Sequence, residues 1–220
     1  MTRELLALTM SGLMAGGCSH LTEAPSPHTR YIAKTNLRLP FEGEWYVIQG
    51  GRTVAENYHA AYPEVRFAFD FVMVQAFSTH RGQGLANSDY YCFGAVLLVP
   101  GSGTVIKVDD GHPDSDPGKK DEAHPKGNHV VIDHGNDEFS FLAHFKQGTI
   151  TVKVGDRVVA GQVLGLCGNS GNTSEPHLHY QLHNEAGECL PARFRNYFAD
   201  GVEVGAGEPV RGQRVRHHSE

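Results

Sequence analysis

No stretch of this 220-residue chain is apolar for long enough to span a bilayer as a helix. The longest apolar run, Leu5 to Gly17, is interrupted by Thr9 and Ser11 and stops at Cys18. Long basic runs are also missing. With a net charge of −6 and only the short Arg211–His218 segment rich in arginine and histidine, no nucleic-acid partner is expected. There is no short-period repeat and no low-complexity segment. At 40% hydrophobic and 20% charged residues, the composition is that of a folded globular chain rather than a disordered one. Cysteines number only four, and none of Cys18, Cys92, Cys167 and Cys189 has zinc-finger spacing. The last three read as small buried hydrophobes, with one disulfide plus a free thiol as the other reading. What the chain does have is 26 glycines, 11 prolines and 14 histidines. The first two imply many turns and short strands rather than long helices. The third calls for a search for a histidine-based site.

The length suits one domain. Arg3 and the apolar run after it read as a signal peptide over residues 1–17. Ala15-Gly16-Gly17-Cys18 resembles a lipoprotein cleavage box, which would make Cys18 the lipidated first residue and attach the protein to a membrane. Export is therefore expected: periplasmic or outer-membrane, as Ser19 favours, in a Gram-negative source, and cell-surface otherwise. Residues 18–35, with Pro25 and Pro27, read as a tether, residues 36–205 as the folded domain and residues 206–220 as a flexible tail.

Strand patterns occupy Glu44–Gln49, Arg66–Val74, Ala95–Val99, Gly103–Val108, His129–Asp133, Phe139–His144, Val158–Val163 and His177–Leu182. Gly135-Asn136 signals a hairpin. Asp109–Asn128 contains three prolines and no strand pattern, so it reads as a long polar loop.

His177 and His179 are two residues apart in a strand pattern, which puts both imidazoles on one face. The preceding Gly168–Pro176 loop is rich in glycine, asparagine and serine and allows close backbone approach to a ligand. Asp70 sits within an apolar strand, opposite the face carrying Phe67, Phe69 and Phe71. A carboxylate there needs a metal or an ion pair, and Arg66 is the obvious ion-pair partner. His144, also in an apolar strand, is either part of a site or a hydrogen-bonded core histidine.

Several ordered segments match one family. Phe93–Val105 (FGAVLLVPGSGTV) ends in its G-T-V, and Gly127–Gly135 (GNHVVIDHG) is similar to its G-N-x-V-x-I-D-H-G strand. Ala143-His144-Phe145 falls at its A-H-L, Val154–Gln162 (VGDRVVAGQ) at its V-G-D-x-V-x-x-G-Q, and Gly168–Tyr180 at its G-N-T-G…P-H-L-H-F. The chain thus resembles the lysostaphin-like, LytM-type zinc metallopeptidases, peptidoglycan endopeptidases, over about residues 70–180. The resemblance implies a mostly β fold whose antiparallel sheets form a substrate groove, of the LytM or duplicated-hybrid-motif type. It also implies one Zn2+ per chain and hydrolysis of peptide cross-links in the cell wall, with peptidoglycan peptides as partner. Asp70 and His179 would be metal ligands. His144 and His177 would be catalytic, handling the proton of the attacking water and the developing oxyanion.

The departure from the family is at its usual first ligand, a histidine four residues before the aspartate. Arg66 stands there, and a guanidinium does not bind zinc. His59 is the expected replacement, brought across from the Asp70 strand if residues 57–60 and 66–70 form a hairpin. Relatives with the same Asn-x-His, then Arg-aromatic-Ala-x-Asp arrangement support it. His80 is the second candidate. His129, His134 and His183 read as surface or supporting groups, and His112 and His124 as solvated. The competing readings are an inactive cell-wall-binding or amidase-activating module of the same fold, and a zinc-buffering lipoprotein.

Overall fold

β-branched and aromatic runs cut by glycine and proline turns produce thirteen strands over residues 21–218, which the computed structural model describes. The expected signal peptide 1–17 and Cys18 lie outside the described residues. In chain order the strands are β1 (Glu44–Gln49), β2 (Phe69–Val72), β3 (Val96–Leu98), β4 (Gly103–Asp109), β5 (Asn128–Asp133), β6 (Phe139–Phe145) and β7 (Arg157–Val158). They continue with β8 (Val163–Leu166), β9 (Leu178–His183), β10 (Cys189–Leu190), β11 (Phe194–Ala199), β12 (Val202–Gly207) and β13 (Arg214–His217). The only helical elements among the described residues are three short 3-10 turns, so none is long and apolar enough to cross a membrane.

Eleven strands form one sheet in the order β12-β11-β13-β1-β2-β9-β6-β5-β4-β7, with β10 added to β9. β3 and β8 pair separately. Every ladder between these strands is antiparallel, which confirms the mostly β, antiparallel expectation. One face of the large sheet carries the core: Trp45, Phe71, Leu142, Tyr180, Leu182 and Phe194 are all fully buried. Each such side chain contributes roughly 1.5–3 kcal/mol by leaving water. Period two turns the alternate residues to the opposite face. There the register lines up Asp70, His179, Ala143, His129 and Asp109 directly across β2, β9, β6, β5 and β4.

The hairpin at Gly135-Asn136 forms as expected between β5 and β6. Four expectations are corrected. Val158–Val163 is not one strand: Gly161, at φ +86°, turns the chain between β7 and β8. Residues 57–60 do not pair as a strand; Tyr58–Ala61 is a 3-10 turn. The expected tether is packed on the domain over its described part. Glu138, fully buried, accepts hydrogen bonds from Tyr31 Oη and from the Lys34 and Thr35 backbone N–H groups at 2.6–2.8 Å. Nor is the C-terminal stretch a free tail. β13 is inserted between β1 and β11, with Val215 fully buried, and its other residues are too polar to have advertised a strand. Cys92, Cys167 and Cys189 are free and buried.

Candidate zinc site

Asp70 sits mid-strand in β2 and faces His179 of β9 in register. Its two oxygens go to two different imidazoles: Oδ1 is 2.9 Å from His179 Nδ1, and Oδ2 is 2.9 Å from His59 Nε2. His177 Nε2 is 3.6 Å from Oδ1. All of its ion pairs are therefore with histidines. Burial alone would raise the Asp70 pKa, but His59, His177 and His179 outweigh it and hold the carboxyl well below its ordinary value. The expected alternative, a salt bridge to Arg66, does not form. The Arg66 guanidinium instead donates to the Ala60 carbonyl at 2.8 Å and lies over the Phe67 ring.

His59 reaches Asp70 without a hairpin. Asn57, fully buried, caps the 3-10 turn: its side-chain oxygen accepts from His59 N–H, and its amide donates to the Gly51 and Ala68 carbonyls. With Arg66 bound to Ala60, both flanks of His59 are tied down, and its ring meets the His179 ring edge-on at 5.2 Å. Burial pushes the His59 pKa down despite Asp70. In His179 burial acts the same way but is outweighed by Asp70 and by Gln181, so its pKa is raised. Gln181 Oε1 is 3.0 Å from His179 Nε2.

His144 and His177 are held differently. His144 Nδ1–H donates to the Ser170 backbone carbonyl at 2.7 Å, and His177 Nδ1 lies 2.9 Å from the Glu175 carbonyl and 3.0 Å from Thr173 Oγ1. Each ring is thus tied through Nδ1 to the 168–176 loop, which turns Nε2 to the site, that of His177 lying 3.6 Å from Asp70 Oδ1. The two rings are 4.7 Å apart. His144 has φ +66°, a left-handed backbone unusual for a non-glycine residue and often found where a side chain is aimed for function. Burial, then His177 and His179, drive its pKa well below the ordinary histidine value, which keeps the imidazole neutral.

The side chains His59, Asp70 and His179 offer donor atoms within 4.8 Å of one another, and so do His144, His177 and His179. A buried carboxylate among imidazole nitrogens suits one zinc ion per chain. A cavity of about 750 Å³ opens over the cluster, and its lining includes Tyr58, Tyr62, Glu64, Lys120, Lys126 and Ser174.

Comparison with known proteins bears on the same residues. Residues 79–191, just over half of the chain, match Peptidase family M23. The chain belongs to this family. A 60-residue stretch is 48% identical to peptidoglycan DD-endopeptidase ShyA of Vibrio cholerae, covering 27% of this chain and 14% of that protein. An uncharacterized metalloprotease of Haemophilus influenzae is 31% identical over 104 residues, 47% of this chain and 18% of its own length. The chain spans less than a fifth of either relative. A zinc-containing peptidase from Vibrio cholerae overlays with a TM-score of 0.43 at 20% identity, over 71% of this chain and 39% of that one.

The M23 segment contains His144, His177 and His179, whereas His59 and Asp70 precede it; Asp70 reaches the site through the β2–β9 ladder and His59 from the Tyr58–Ala61 turn. His80 packs on Tyr90 instead and belongs to neither donor group. His129, expected at the surface or in support, is buried, with Nδ1 bonded to the Gly127 carbonyl. Gln181 carries no mark in the sequence beyond sharing the period of two with 177 and 179. Ser170 acts through its backbone carbonyl, which has no signature in residue type.

Proposed function

We propose that this chain is a lysostaphin-like, LytM-type zinc metalloendopeptidase that hydrolyses peptide cross-links of peptidoglycan. The observation that carries the reading is the division of labour among the four histidines. His59 and His179 each turn a nitrogen to one of the two oxygens of a buried carboxylate at 2.9 Å, while His144 and His177 are anchored through Nδ1 by loop carbonyls. In this reading His59, Asp70 and His179 hold the metal. Bound zinc would supply a Lewis acid that polarises the scissile carbonyl and acidifies a water. His144, kept neutral, takes a proton at Nε2. His177, held through Nδ1 by the Glu175 carbonyl, turns Nε2 to the oxyanion that develops as the carbonyl is attacked, and would steady it there when that nitrogen also carries a proton. The Ser170 and Glu175 carbonyls fix the tautomer of each ring. The cavity serves to bind an extended peptide, which suits short cell-wall stems. Peptidoglycan as substrate is supported by the likeness to the Vibrio DD-endopeptidase. Export, with attachment through Cys18, completes the proposal and would bring the site to the wall.

The test combines defined peptidoglycan with metal analysis. Purified full-length protein is expected to carry one zinc and to release cross-link fragments identifiable by mass spectrometry. His59→Ala should lose the zinc and the activity together. His144→Ala and His177→Ala should keep the zinc and lose activity by about 100-fold or more. Protein that releases no fragments while holding no stoichiometric zinc would favour the non-catalytic module, and zinc retained by His59→Ala would overturn the ligand set.

A further inference from the structure

The 109–128 loop holds a second cluster of metal-type donors. His112, Asp121 and His124 bring one nitrogen or oxygen each within 4.8 Å of one another. The two imidazole rings lie 4.6 Å apart at an interplanar angle of 36°, so they converge without any backbone rearrangement. Each is paired with its own carboxylate: His124 Nδ1 is 2.9 Å from Asp121 Oδ2, and His112 Nε2 is 3.2 Å from Asp109 Oδ2. Asp109 thus supports the His112 ring from outside the donor group. The cluster stands apart from the site above. Asp109 is three strand positions along the cross-strand row from His179, on the order of 14 Å at the usual strand spacing.

The frame beneath the cluster is rigid. His112 N–H donates to Asn128 Oδ1, and Asn128 Nδ2 donates to the His112 carbonyl. Asn128 is itself fully buried at the start of β5. Asp121 Oδ1 accepts from the backbone N–H groups of Ala123 and His124, which fixes the turn carrying the second imidazole. The rings themselves remain within reach of solvent, the His112 side chain 22% exposed and that of His124 57%.

We propose that His112, Asp121 and His124 form a second divalent-metal site, weaker than the buried one and loaded from solvent. Two imidazoles with carboxylate oxygens select zinc, nickel or copper(II) over the hard ions magnesium and calcium. The site's place in the fold gives it a consequence. The same loop bonds to the loop that anchors His144 and His177: Gly118 N–H donates to the Ser174 carbonyl, Asp121 N–H to that of Gly171, and Asn172 N–H to that of Pro125. Lys120 and Lys126 of this loop line the cavity. An ion on the cluster ties residues 112 and 121–124 together and stiffens that wall.

The experiment is a calorimetric zinc titration of full-length protein already carrying one equivalent of zinc. A second, weaker uptake is expected, reproduced by nickel and absent with magnesium. Losing a ligand costs at least what losing a supporting partner does. His112→Ala and His124→Ala should therefore each weaken the second step by about tenfold or more and leave the first equivalent in place. His144→Ala should leave the second step intact. Hydrogen exchange at the Gly118 and Asp121 amides should slow as the second equivalent binds. His124 is exposed, so its replacement spares the fold and keeps the test readable. Absence of a second step in the unaltered protein overturns the proposal, as does its persistence in both loop variants. Loss of the step in His144→Ala but not in the loop variants would assign the extra ion to His144, His177 and His179 and overturn it equally.

Discussion

Replacing Gln181 by leucine removes the acceptor at His179 Nε2 while keeping a side chain of similar size in β9. The ring is then free to rotate away from Asp70, and zinc affinity should fall by about 10–100-fold with the thermal unfolding profile of the metal-free protein little changed. Competition with a chromogenic chelator measures this. Unchanged affinity would show that β9 alone orients His179. At this scale the sequence was legible wherever chemistry is unusual for its surroundings. A carboxylate amid phenylalanines marked Asp70, and imidazoles two apart marked His177 and His179. Arg66 stands where the family resemblance puts a ligand, and His59, the expected replacement, lies 2.9 Å from Asp70. Gln181 escaped because a glutamine on a strand face is ordinary until its neighbour is known. The Arg66 contact with Ala60 escaped because main-chain acceptors look alike in every sequence.

Among elements, the 127–128 and 168–171 segments are pressed together behind His144. Gly127 has φ +53°, and a Cβ there would fall on the Ser170 carbonyl, the group that receives His144 Nδ1–H. Gly127→Ala therefore meets both left-handed strain and a backbone collision. It should lower stability by at least about 1–2 kcal/mol and depress turnover more than zinc content. Urea melts, metal analysis and activity on one preparation separate these effects. If turnover survives intact, the Ser170 contact does not position His144. The strands with clear alternation, β1, β5, β6 and β9, were readable within a residue or two. β10 to β13 were not, because they are short or polar and are held by neighbours distant in sequence. Val215 is the only apolar residue of β13, yet it is completely enclosed by the strands on either side.

For the molecule as a whole, Glu138 fastens residues 31–35 to the β5–β6 turn. Burial raises its pKa, but the hydrogen bonds from Thr35, Lys34 and Tyr31 outweigh this and hold it below the ordinary glutamate value. A carboxylate with a depressed pKa in the folded state contributes stability that is fully present above the unfolded value and is lost as pH falls through the folded one. Glu138→Gln should lower stability by about 1–3 kcal/mol at neutral pH, because an amide cannot accept all three donors. Its stability should then decline less steeply than that of the unaltered protein below about pH 4.5. Thermal melts across pH 3 to 7 report both effects, and parallel curves would remove Glu138 from the acid response. The leader-like segment invited a tether over these residues. Proline and polar composition describe a segment's solubility, not whether a buried carboxylate elsewhere receives its amides.

The β2–β9 ladder brings together Asp70 and His179, which are 109 residues apart along the chain. A loop that long closes slowly, and the donor group of His59, Asp70 and His179 is complete only once it has closed. Zinc affinity is therefore also a gauge of chain closure. An ion at 100 times its dissociation constant adds about 2.7 kcal/mol to the closed state alone. A chelator would then loosen that long-range pairing first, so an ion held by His59, Asp70 and His179 would also act as a latch on the topology.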